Sequence, residues 1–312
     1  MDKNGEEVVG LVASEEAAML RRIALFLAVN FLVVIAISVI LSLLNVKPYL
    51  TAHGLDLYSL MIFCLVWGIV GALISLALSR KMAKWLMRVQ IVSPKGSHAD
   101  LYHRVARLSK KANIPGIPEV GIFDSHRMNA FATGPSKKHS LVAVSTGLLS
   151  RMGDKELDAV LAHEISHIKN GDMVTMTLIQ GVVNAFVMFL ARICAYALSS
   201  AGRGNNQRSS YTSYYLLTIL FEIVFMFLGM LVVCGFSRRR EFRADSGGGA
   251  LTSNGDMIAA LEVLKSEKGL KEEKKTAMAA LMINLPEKGF LSLLSTHPPL
   301  DKRIERLRQK AF

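Results

Sequence analysis

Disulfide chemistry has little to work with in this 312-residue chain. Its three cysteines, Cys64, Cys194 and Cys234, all lie in apolar stretches, and none belongs to a CxxC pair. A disulfide framework is excluded, no cysteine-ligand pattern exists, and the thiols read as small apolar residues. Charge is missing over long distances. Ile23 to Leu44 and Leu57 to Ser79 contain no charged residue; Met173 to Ser200 has only Arg192, and Tyr214 to Phe236 only Glu222. Each is long enough to cross a hydrocarbon core of about 30 Å, which takes roughly 20 helical residues. Internal repeats and low-complexity tracts are absent. With 51% hydrophobic residues the chain is too apolar for an ordinary soluble domain. The first stretch exceeds the roughly 7 to 15 residues of a signal-peptide core, lacks a small-x-small cleavage site and is followed by a second, so a retained anchor is expected.

Acidic residues are also short, 25 against 37 lysines and arginines, for a net charge of +12. The excess sits beside the apolar stretches and in the C-terminal helix, as membrane topology and anionic headgroups demand, and no nucleic-acid partner is implied. Arg21 and Arg22 precede the first stretch; Arg80, Lys81, Lys84 and Arg88 follow the second; Arg238, Arg239, Arg240 and Arg243 follow the fourth. The 45 to 56 connection has only Lys47, so both termini are expected on the cytoplasmic side. Arg203 and Arg208 run against this rule and leave the third and fourth stretches open to reading as interfacial or buried helices. Arg192 and Glu222 would lie at a similar depth, about 10 Å in, in an antiparallel hairpin. They either pair or snorkel separately with Glu222 protonated.

What is present begins with His163-Glu164-Ile165-Ser166-His167. Leu157, Val160, Leu161 and Ile165 trace an apolar stripe and Asp154 is a plausible cap, so the motif is expected on a helix. Histidines four apart then share a face and both reach a metal, with Glu164 placed as the general base of a hydrolase. A third ligand is needed. The metzincin continuation is excluded, because Asn170 and Met173 stand where that class has Gly and His. Glu241 in Glu241-Phe242-Arg243-Ala244-Asp245 is the candidate, and Asp245, one turn on, faces the same side and could hydrogen-bond a ligand imidazole. Two membrane crossings between His167 and Glu241 would return the chain to the side it left.

Between the second and third stretches a soluble segment is expected, with a helix over 99–111, a strand over 119–123, and strands over 129–134 and 140–146 around a turn at Gly134 to Lys138. Asn129, Ala130 and Phe131 open the candidate edge strand for an extended peptide, which would be held through its backbone; an ordinary core hairpin fits the same pattern. Beyond Asp245, Gly247-Gly248-Gly249 predicts a flexible break, followed by helices near 256–265 and 270–282. A last helix over 301–310 is introduced by Pro298 and Pro299.

The HEISH and EFRAD motifs, the NAFATG strand and the STHPPLDKRIERL tail together resemble the HtpX-type membrane metalloproteases, relatives of the CAAX prenyl endopeptidases, over nearly the whole chain. The resemblance implies a multi-pass zinc endopeptidase of the bacterial cytoplasmic membrane, acting on damaged or misfolded membrane proteins. It assigns one Zn2+ to His163, His167 and Glu241, catalysis to Glu164 and support to Asp245. It also places Asn129 near substrate and brings His297 to the site as a transition-state hydrogen-bond donor.

The expected fold class is mainly α (α+β): four transmembrane helices with a zincin-like catalytic domain containing a small β-sheet. The expected parts are a cytoplasmic tail (1–22), a first transmembrane hairpin (23–79), a sheet with the HExxH helix (80–172), a second hairpin (173–236) and a part carrying the third ligand and C-terminal helices (237–312). Partners are protein substrates and the lipid bilayer. Two other readings stand beside a cytoplasm-facing peptidase. One is an intramembrane-cleaving protease, the other a non-hydrolytic zinc-binding or transport protein.

Overall fold

A computed structural model describes residues 33–46, 49–51, 54–201, 207–279 and 295–309. The tail over 1–22, the first ten residues of the first apolar stretch and the region over 280–294 lie outside the described residues. Within the first stretch, α1 (Val33–Leu43) is helical. Three longer helices are long and apolar enough to cross a membrane: α2 (Leu57–Leu86), α6 (Asp172–Ala201) and α7 (Gln207–Leu251). Asp56 caps α2 by accepting from the Tyr58 and Ser59 amides. Between α1 and α2 lies a two-stranded ribbon of β1 (Leu50–Thr51) and β2 (Gly54–Leu55).

Packing among these helices depends on small residues, since lipid tails are as apolar as leucine and association needs close backbone contact. A Cβ on Gly68 of α2 would stand 2.4 Å from the Gly181 carbonyl of α6. One on Gly229 of α7 would stand 2.7 Å from Val183 of α6. Arg192 Nη1 donates to Glu222 Oε1 at 2.6 Å, so the two ionisable groups in the spans are paired, and α6 and α7 run antiparallel.

The remaining layer holds α3 (Ala99–Lys111) and a four-stranded sheet of β3 (Gln90–Ile91), β4 (Glu119–Phe123), β5 (Ala130–Thr133) and β6 (Leu141–Ser145) in the order β3-β4-β6-β5. β4 and β6 are parallel, while β5 and β6 form the expected hairpin. β5 is therefore an edge strand. After the short α4 (Thr146–Leu149) comes α5 (Asp154–Asn170), which carries the HExxH motif. Gly153, rather than Asp154, occupies its cap position. Gly171 ends it with φ 70, a left-handed turn that admits glycine freely and lets α6 start at the next residue. Leu161, Ile165 and Ile168 of α5 centre a core that also takes Val105, Val142, Val144 and residues of two C-terminal helices, α8 (Asn254–Ala279) and α9 (Leu300–Gln309).

Two expectations are corrected. The break at Gly247 to Gly249 does not exist, because α7 continues through the triplet to Leu251. A Cβ at Gly247 would stand 2.6 Å from Ser166 Oγ, and one at Gly248 3.2 Å from the His163 amide nitrogen. The glycines thus let α7 lie directly on α5, and packing outweighs a helix-propensity cost of about 1 kcal/mol each. The two helices expected near 256–265 and 270–282 are one, α8, as far as Ala279. Charged residues alone do not interrupt a helix.

Candidate metal centre

α5 places His163 and His167 one turn apart, and both are buried. Their Nε2 atoms lie 3.1 Å apart. From the facing surface of α7, Glu241 sets Oε2 3.5 Å from His163 Nε2 and Oε1 3.4 Å from His167 Nε2. A tetrahedral ion with ligands at about 2.0 to 2.1 Å has edges of about 3.3 to 3.4 Å. Distances near those edges, with one ligand atom from each residue all within 4.8 Å of one another, are close enough for the three residues to hold one ion. Glu241 is also 0% exposed, and among the described residues neither of its oxygens has an aligned hydrogen-bond donor. A buried carboxylate in that state is costly unless a cation completes it.

The other ring nitrogens are held in place. His167 Nδ1 lies 2.7 Å from Asp172 Oδ2, and His163 Nδ1 lies 3.0 Å from Asp245 Oδ1, close but out of line for a full hydrogen bond. Carboxylates at Nδ1 keep the proton there and leave Nε2 free for the metal. Burial alone would push both histidines down in pKa. Asp172 and Glu241 outweigh it at His167, raising it to about 9, and Asp245 and Glu241 raise His163.

Asp245 was legible as a partner of an imidazole; Asp172 and Arg303 were not. Asp172, the first residue of α6, is 1% exposed and also receives Arg243 Nη2 at 3.2 Å. Its one sequence signal is an acid beside the glycine that ends the motif helix. Arg303, on α9, grips Asp245 with two bonds: Nε to Oδ2 at 2.8 Å and Nη2 to Oδ1 at 2.6 Å. In the sequence it is one basic residue among many in the tail.

Glu164 is half-buried at the same turn of α5. His297 is brought to the site from the far end of the chain, with Nδ1 2.9 Å from Glu241 Oε2, and its side chain is 61% exposed. Arg238 steadies this approach by donating to the Ser295 carbonyl at 2.9 Å. Asn129 is exposed just before β5, its amide and carbonyl both bonded to Ser145. Ala130 packs against the core that contains α5, whereas the Phe131 ring packs on Phe123, 5.5 Å between centroids.

A helix bearing HExxH, a carboxylate from a second helix, an adjacent edge strand and long apolar helices define a membrane metalloprotease. Residues 96–311 match the family model described as Peptidase family M48. The chain belongs to that family. It is 48% identical over 303 residues to the "Protease HtpX homolog" of Bacillus subtilis, covering 94% of this chain and 100% of the relative. It is 49% identical over 289 residues to "Protease HtpX" of Hahella chejuensis, covering 92% and 98%. Among solved structures it resembles the crystal structure of S. mikatae Ste24p, with TM-score 0.62, 17% identity and 96% of this chain covered. The chain spans 66% of that protein, and at this identity the likeness concerns the fold.

Proposed function

We propose that this chain is a zinc-dependent endopeptidase that cleaves damaged or misfolded membrane proteins at the cytoplasmic face of the bacterial cytoplasmic membrane. The observation that carries the reading is the Glu241 carboxylate, fully buried, without an aligned donor among the described residues and facing two imidazole Nε2 atoms. His163, His167 and Glu241 hold the ion. Bound zinc would lower the pKa of water to about 7 and polarise the scissile carbonyl. Glu164 takes the proton of the attacking water and passes it to the leaving amine. β5 holds the substrate as an added strand through backbone hydrogen bonds, with Asn129 at its entrance. His297 donates to the developing oxyanion.

Zinc rather than magnesium or calcium is favoured by a donor set of two imidazoles and one carboxylate. A cytoplasmic site is favoured by Arg80, Lys81, Lys84 and Arg88 after α2's apolar run and by Arg238 to Arg240 and Arg243 after that of α7. On this reading four spans form two hairpins, 23–79 and 173–236, and the segments over 80–172 and 237–312 build the catalytic part.

The test is metal content and cleavage by detergent-purified wild type, Glu164→Gln and Glu241→Ala on a membrane-protein substrate. Glu164→Gln should keep one zinc and lose at least about 100-fold in turnover, the scale of general-base catalysis. Glu241→Ala should lose zinc as well. Undiminished turnover by Glu164→Gln would sink the assignment, and cuts mapped inside a substrate's transmembrane helix would move the reaction into the bilayer.

A further inference from the structure

We propose that Arg303 is a positioning residue through which the C-terminal helix α9 completes the metal centre, a reading that rests on His163, His167 and Glu241 being the metal's ligands. Arg303 is 7% exposed, and its guanidinium is divided between two acids on consecutive turns of α7. Nε and Nη2 form the fork on Asp245, and Nη1 stands 3.8 Å from Glu241 Oε2. Asp245 Oδ1, which receives Nη2, is also the oxygen 3.0 Å from His163 Nδ1. One side chain therefore bears on two of the three ligands, on Glu241 directly and on His163 through Asp245.

The physical need for it lies on α7. Glu241 and Asp245 are one helical turn apart, both buried and both acidic. Like charges at that spacing repel on a helix surface, and more strongly where water is excluded. A cation spanning both keeps the carboxylates pointing at the imidazoles rather than away from each other. Arginine suits this task because its planar fork fixes direction, whereas lysine offers a point charge that cannot grip two oxygens in one plane.

Arg303 arrives with α9, whose docking is set by Ile304 and Leu307, 5% and 2% exposed in the core around α5. Outside the core, Lys265 pairs with Asp301, Arg308 with Glu262, and the Arg306 guanidinium lies 4.7 Å from the Phe242 ring. α9 is the last helix of the described chain. The consequence is temporal: the high-affinity metal site forms only after residues 300–309 have been made and docked, so an incomplete chain carries HExxH without a working centre.

The experiment measures zinc affinity of full-length wild type, R303K, R303M and D245N/R303M by competition with a chromophoric chelator, with near-UV circular dichroism as the check on folding. Folded R303M should bind zinc about 10- to 100-fold more weakly, the usual cost of losing a group that orients a ligand. R303K should regain at most part of the loss. D245N/R303M should regain more, because the side-chain amide oxygen that replaces the carboxylate can still accept from His163 Nδ1 and position 245 no longer carries a negative charge to repel Glu241. A role in stability alone would lower the unfolding temperature and leave the zinc affinity of the folded protein unchanged. Folded R303M with wild-type affinity therefore overturns the proposal and leaves the ligand assignment standing. Where R303M does not fold, R303K decides: its charge is intact, so wild-type affinity there overturns the proposal. Wild type without zinc, or His167→Ala with undiminished affinity, overturns the ligand reading instead.

Discussion

At the scale of single residues, the site is a set of imidazoles whose Nε2 atoms face one another and whose Nδ1 atoms face acids. Its first consequence is competition between protons and metal. A histidine whose folded pKa is raised above its ordinary 6.5 keeps its proton until pH climbs through the raised value, and His167 reaches about 9. Zinc needs that nitrogen bare, so binding must expel protons throughout the neutral range. Zinc affinity is expected to rise with pH and level off above about 9, as checked by chelator competition in a pH series; an affinity flat across that range would contradict the geometry. His163, Glu164 and His167 were legible because their spacing is local, four residues along a helix, and Glu241 with Asp245 because an acid pair one turn apart follows the second pair of apolar stretches. Asp172 and Arg303 were not, because their roles exist only after α6 leaves α5 at Gly171 and α9 returns to α7.

At the scale of elements, the sequence located helices and strands well where pattern and packing agree. Ala99–Lys111 and Glu119–Phe123 stand where periodicity puts them, and β5 lies at the edge as the NAFATG stretch suggested. The glycine triplet misled because three glycines in sequence look like slack, while in space Gly247 and Gly248 lie against α5 and Gly249 against Asn254 of α8. The Arg192–Glu222 pair, open to two readings in the sequence, joins α6 to α7 at 2.6 Å with the Arg192 guanidinium near Phe63 of α2. In a span, an ion left without its partner has little water to turn to. Arg192→Met or Glu222→Leu alone should destabilise the fold by about 1 to 3 kcal/mol, whereas the double variant should lose less than the sum. Thermal unfolding in detergent measures this, and strict additivity would mean that the pair contributes nothing.

At the scale of the whole molecule, the catalytic layer and the spans are not separable bodies joined by linkers. α2 continues from its span to Leu86, close to the sheet, α6 begins on a residue that holds His167, and α7 carries span and ligand in one helix. On the proposed topology this continuity sets the site at the cytoplasmic end of the apolar helices, the end that the arginines and lysines favour. In a background lacking Cys64, Cys194 and Cys234, a cysteine at Thr51 should react with an impermeant maleimide from outside intact cells. Cysteines at Lys169 and Asp301 should react only after the membrane is opened. Labelling of Lys169→Cys in intact cells would invert the topology.

The unbroken α7 has a consequence for how such a chain can vary. No joint separates Glu222 in the bilayer from Glu241 at the imidazoles. Inserting or deleting one residue between them would swing the Glu241 side chain by about 100° around the helix axis and shift it by about 1.5 Å along it. Away from close contacts such as Gly229, substitutions are therefore open to that stretch in a way that changes of length are not. Its spelling can drift; its count is fixed by the phase of a single helix.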